Sequence, residues 1–274
     1  MSVSTETPMG WLASLPAGVG FATLRAILKL WIGIPPSRSG VMSAGNGAAM
    51  RSALLGVYFA NDAARRNQFV HASTEITHRD PRASIAALAV AETAAWMADV
   101  REDPDGLLEI LERLGGNSEW TSLVTRLRAS LSLDHSVAAF AQQIGAKDGV
   151  SGYAFQSVPV AIYAAVRYRA DFSAALTEVI ACGGDTDTVA AITGALLGAR
   201  VGVTGIPHPW RENIVEFPRS PGLLNRVAER LSLQSEGHSI LGPVSYFWPA
   251  ILLRNLAFLG VVLAHGFRRL LPPY

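Results

Sequence analysis

Apolar residues recur at helical spacing along almost the whole chain, and no convincing run alternates β-branched or aromatic residues with polar ones as a half-buried strand would. That periodicity confines the chain to an all-α fold. Helices are predicted over residues 20–30, 48–60, 81–100, 105–114, 118–131, 156–168, 171–182, 186–200 and 221–232. Their ends carry recognisable punctuation. Asp171 stands as an N-cap before "AALTEVIA", Asp80-Pro81 opens the next helix with a proline where no amide donor is needed, and the glycines of "RLGGNS" separate one helix from the next.

With 50% hydrophobic and only 16% charged residues, most of these helices must be buried on more than one face, and 274 residues suffice for a large core. No repeat or low-complexity linker interrupts the chain. The nearest thing to a boundary is "EFPRSPG" at residues 216–222, which predicts a compact helical domain over residues 1–216 and an apolar helical arm over residues 217–274. Within the arm, Arg254 and Asn255 break the apolar run and Pro249 breaks its start, so a helix docked over the main body is expected rather than a membrane span. Arg268 and Arg269 at its far end leave interfacial membrane attachment as the alternative.

The charge of +1, from 23 basic and 22 acidic residues mixed along the chain, points away from nucleic acid. A single cysteine, Cys182, excludes an intramolecular disulfide and suits a reducing compartment. The first residues carry no basic stretch followed by an apolar run, so a cytoplasmic location is expected. Cys182 itself reads as a buried structural thiol.

Four polar clusters stand out. In "GGDTDTVAAITGALLGAR", Asp185 or Thr186 caps the helix that follows, placing Asp187 and Thr188 in its first turn, where free amides and the helix dipole stabilise negative charge. Two carboxylates with a neighbouring hydroxyl are hard oxygen ligands of the kind magnesium or manganese takes, and an acidic helix cap is the alternative. In "SAGNGAAMRSALLG", Gly45 and Gly47 flank Asn46 before an apolar helix, either to present amides to a phosphate or ribose or only to make the turn. "HASTEITHRDPRA" places His78 in the polar turn before Pro81, and with His71 it lacks the third ligand a zinc site needs. In "GVSGYAFQS", Tyr153 follows Gly152 and is read either as a base-stacking ring or as core.

Taken together, "GGDTDTVAAITGALLGA", "SAGNGAAMR", "ITHRDPRA", "SGYAFQS" and "IPHPWRE" resemble, in order and spacing, the ADP-ribosylglycohydrolase family, over roughly residues 20–216. The resemblance implies an all-α fold around a binuclear Mg2+ or Mn2+ site, and hydrolysis of the bond between ADP-ribose and an acceptor such as an arginine nitrogen or a serine oxygen. By the same resemblance, Asp185, Asp187 and Thr188 are metal ligands. Asn46 and Gly47 approach the ADP-ribose, His78 lies near its phosphates, and Gly152 and Tyr153 line the nucleoside pocket. The implied partner is an ADP-ribosylated protein or a small molecule containing ADP-ribose.

The family also carries a Thr-Asp-Asp-Thr stretch near its N-terminus that supplies the rest of the metal cluster, whereas this chain has no adjacent Asp-Asp pair. The expectation is therefore an N-terminally shortened hydrolase. The alternatives are a degenerate, inactive homologue that binds ADP-ribose or a related nucleotide, and a site completed by another acid such as Asp62, Glu75 or Glu92.

Overall fold

A computed structural model describes residues 12–16, 19–116, 118–237, 242–247 and 249–270 of the chain. Its helices run α1 Phe21–Trp31, α2 Pro36–Ser39, α3 Ser52–Tyr58 after a 3-10 turn at Ala49–Arg51, α4 Ala63–Glu75, α5 Pro81–Ala98, α6 Pro104–Arg113 and α7 Ser118–Ser132. They continue as α8 Val137–Gln143, α9 Ala154–Arg167, α10 Phe172–Ala181, α11 Thr186–Val201, α12 His208–Glu212, α13 Pro221–Ser235 and α14 Pro249–Leu270. The fold is all-α, and the only β pairings among the described residues are three isolated bridges, all in loops.

The core forms where α5, α9 and α11 pack on one another, with α10 against α9 and α11, and with α3 and α4 against α5. α5 is buried almost continuously from Ala86 to Met97 because its alanines leave room for neighbours on every side. The tightest approach is at Gly56 of α3, where a Cβ would stand 2.2 Å from the Ala91 carbonyl oxygen. The caps expected from sequence are present: Asp171 accepts from the Ala174 amide and Asp80 from the Arg82 amide.

Helix α4 has no sequence-level forecast because "AARRNQFVHASTE" shows no apolar stripe. It is held instead by a buried ion pair. Arg66 donates from Nε and Nη2 to Glu92 of α5 at 2.9 and 2.7 Å, and from Nη1 to the Phe59 and Ala60 carbonyls.

The expected docking of the C-terminal helix over the body holds for about its first two turns only. Ala250, Ile251 and Asn255 are buried, Asn255 donates to the Ser14 carbonyl at 2.7 Å, and Arg254 pairs with Glu216. From Leu256 to Arg269 every residue is exposed.

Candidate functional site

Four loops that are far apart in sequence lie side by side at one end of the core, laced by backbone hydrogen bonds. The turn after α4 pairs with the segment before α3: the Val41 amide donates to the Thr77 carbonyl at 3.1 Å and the Arg79 amide to the Val41 carbonyl at 2.8 Å. That segment pairs onward with the loop before α9, through Asn46 N–H to Gly152 O at 3.0 Å and Ala154 N–H to Ala44 O at 2.8 Å. The same loop pairs with the start of α11, through Val150 N–H to Gly183 O at 3.0 Å and Asp185 N–H to Val150 O at 2.6 Å.

Glycines make the last pairing sterically feasible. Gly184 has φ +81°, and a Cβ there would fall 2.2 Å from the Val150 carbonyl oxygen; Gly149, at φ +106°, would collide with the Gly184 amide.

Asp185 occupies the N-cap position of α11, yet its side chain caps no backbone amide. Its carboxylate accepts from Asn46 Nδ2 at 2.7 Å and from Thr188 Oγ1 at 2.8 Å, which joins two motifs 139 residues apart through one side chain. The capping explanation thus accounts for the residue's place but not for what its carboxylate does. Gly152 faces the same carboxylate closely, so a Cβ there would stand 3.3 Å from Asp185 Oδ2. Asp187 is exposed in the first turn of α11, beside buried Thr188.

His78 is buried behind the loop. Carbon atoms added at Gly45 and Gly47 would meet its ring at 3.4 and 3.1 Å, so the imidazole supports the turn that presents Asn46. Burial, and then the neighbouring Arg51 charge, pull its pKa down to about 4, which makes it a neutral imidazole at pH 7. Thr77 Oγ1 lies 2.8 Å from His78 Nδ1 and accepts from Arg51 Nη2 at 2.6 Å. With the Thr77 hydroxyl proton directed at Nδ1, the imidazole carries its own proton on Nε2.

Sequence patterns assign Arg51 no role, although it ends the quoted "SAGNGAAMR". Its guanidinium donates to the Gly47 carbonyl at 2.7 Å, the Ser73 carbonyl at 2.7 Å and Ser73 Oγ at 2.9 Å, clamping the Asn46 turn to the end of α4. Burial lowers its pKa to about 10, still well above neutrality. These partners are 4 to 26 residues away, a set no local pattern announces.

Tyr153, half-buried, precedes α9 and donates its phenol to Glu119 at 2.7 Å, with Arg82 donating to the same carboxylate at 3.3 Å. Burial and the Glu119 carboxylate raise its pKa to about 12. Cys182 donates to the Glu178 carbonyl, and burial followed by the Glu178 charge raises its pKa, which is the behaviour of a packed thiol rather than a nucleophile.

"IPHPWRE" leads into α12 beyond the C-terminal end of α11, about 24 Å along that helix from Asp185. Of the acids named to complete a metal site, two are engaged elsewhere, Asp62 as the cap of α4 and Glu92 in its pair with Arg66, while Glu75 is exposed at the end of α4. Asp185, Asp187 and Thr188 suit a hard divalent cation in kind. Among the described residues no group of three or more His, Cys, Asp or Glu converges around them.

The family model for ADP-ribosylglycohydrolase matches residues 5–239, a wider span than the motifs that carry the resemblance. An uncharacterized protein of Archaeoglobus fulgidus is 30% identical over 196 residues, covering 72% of this chain and 62% of its own length. The ADP-ribosylhydrolase ARH3 of Mus musculus is 28% identical over 223 residues, covering 71% of this chain and 60% of its own, and that of Homo sapiens is 28% identical over 204 residues. The chain thus spans about six tenths of the length of these relatives. The solved "ADP-ribosylglycohydrolase-related protein complex" superposes with a TM-score of 0.54 over 84% of this chain and 71% of that one, at 24% identity, a likeness of fold. With its motif loops laced around Asp185 and the family match running from residue 5 to residue 239, the chain belongs to the ADP-ribosylglycohydrolase family.

Proposed function

We propose that this chain is a hydrolase that cleaves the glycosidic bond between ADP-ribose and an acceptor, carried either on a protein or on a small molecule. The observation that carries the reading is the convergence on the Asp185 carboxylate of Asn46 and Thr188, beside Gly152, in a chain that belongs to this family. ADP-ribosylhydrolase relatives support the reaction class.

In this reading Asn46 and Gly47 form the turn that meets the ADP-ribose, and His78, neutral and buried, together with cationic Arg51 holds that turn rigid near the phosphates. Gly152 leaves space beside Asp185 for a ribose hydroxyl, and Tyr153 borders the nucleoside. Asp185, Asp187 and Thr188 would hold a magnesium or manganese ion, and a divalent ion bound there polarises ribose oxygens and lowers the pKa of a bound water. The chain's own contribution is orientation: the Asn46 amide and Thr188 hydroxyl fix both oxygens of the Asp185 carboxylate before any ligand arrives.

The test is release of ADP-ribose from peptides ADP-ribosylated on arginine and on serine, with magnesium or EDTA, using wild type and Asp187→Ala. Magnesium-dependent release abolished by the variant supports the proposal and identifies the acceptor. ADP-ribose binding without turnover on either peptide would reject hydrolysis in favour of a binding role, and neither binding nor turnover would reject the reading altogether.

A further inference from the structure

Helix α14 is 22 residues long, contains no acidic residue, and is exposed from Leu256 to Arg269. At about 100° per residue its leucines and its cationic side chains fall on different sides, with Phe258, Val261 and Val262 interleaved among the latter. Arg254, His265, Arg268 and Arg269 fall within about 100° of one another, and buried Ile251 and Asn255 lie on the same side, so this face is turned toward the body. Leu252, Leu256, Leu259, Leu263 and Phe267 form a stripe within about 80° on the opposite side, pointing away from it. The last four of these are among the largest exposed apolar side chains of the chain. A stripe of this length on a soluble surface calls for an occupant.

The whole helix is long and apolar enough to cross a membrane, so it is the docking of its first residues that argues against a span. The segment from 249 to 255 is committed to the body through Ile251, Asn255 and the Arg254–Glu216 pair. The apolar stretch from Leu256 to Phe267 rises about 18 Å, against roughly 30 Å of hydrocarbon. Charge argues against a second copy of α14, which has no acid to set against Arg268 and Arg269. We propose that α14 lies in the interface of an anionic lipid bilayer, with the leucine stripe in the acyl boundary and Arg268 and Arg269 at the headgroups. The body then sits on the aqueous side, where its contacts with Arg254 and Asn255 place it.

The experiment is flotation of the full chain with phosphatidylcholine vesicles and with vesicles that also carry phosphatidylserine, accompanied by light scattering without lipid. Wild type is expected to float with the anionic vesicles. Arg268→Gln/Arg269→Gln should weaken that partition by roughly 30-fold, since each arginine near such a surface contributes about 1 kcal/mol. Leu259→Glu/Leu263→Glu should float with neither. The arginines are exposed, so their removal leaves the packed body intact and keeps the test independent of folding. Failure of wild type to float with anionic vesicles, or equal flotation of the arginine variant, overturns the proposal. A dimer in wild type that Leu259→Glu/Leu263→Glu dissolves, without vesicle binding, would assign the stripe to a second copy instead.

Discussion

Protonating His78 should weaken the fold across a defined pH window. The imidazole is buried against Gly45 and Gly47, and its pKa falls from 6.5 to about 4, chiefly through burial and then through Arg51. In the unfolded chain the same ring titrates at its ordinary value. Above pH 6.5 the ring is neutral in both states and contributes no pH dependence. As pH falls from 6.5 toward 4 the unfolded chain binds a proton that the folded chain refuses, so stability declines, and below about 4 the loss is complete. A difference of that size corresponds to about 3 kcal/mol in full, of which about 2 kcal/mol is lost between pH 7 and pH 5. With a urea slope of about 3 kcal/mol/M, the midpoint should drop by roughly 0.7 M over that interval from this group alone. His78→Gln keeps a polar group beside Thr77 but cannot titrate. The assay is urea unfolding of wild type and variant at pH 7, 6 and 5, comparing the two slopes so that the other histidines cancel. Equal pH dependence in the two proteins would refute the assignment of His78 as a buried neutral support of the Asn46 turn.

Gly184→Ala should cost well over 2 kcal/mol and lower the melting temperature sharply, because it combines a φ of +81° with a Cβ 2.2 Å from the Val150 oxygen. Gly183→Ala, at φ +71° with no neighbour closer than 4.0 Å, should cost only about 1–2 kcal/mol, and equal losses would contradict the steric account. Glu92→Ala leaves Arg66 charged and buried and should destabilise by about 3–5 kcal/mol in thermal or urea unfolding, while Arg66→Met/Glu92→Leu should recover most of that loss. Millimolar magnesium should raise the melting temperature of wild type but not of Asp187→Ala; identical responses would remove Asp187 from the ligand set.

Sequence alone determined the fold class and most of the core, because apolar spacing and caps act over a few residues. The helices forecast at 81–100 and 186–200 are found as α5 and α11 within about two residues at each end. It also located the polar residues that meet at the site, since Asp185, Asn46 and Gly152 stand out as polar or glycine positions at the edge of apolar runs. Their meeting was decided by tertiary structure. The bond between Asn46 and Asp185 joins residues 139 apart, and the clamp of Arg51 on Thr77 and Ser73 depends on how α4 turns back toward α3. Helix α4 itself was illegible because its stability comes from Arg66 reaching Glu92 rather than from an apolar face. The C-terminal helix was legible as a helix, but which of its faces meets the body was not. That orientation was settled by Ile251 and Asn255, two contacts whose partners lie outside the helix and therefore outside any periodicity within it.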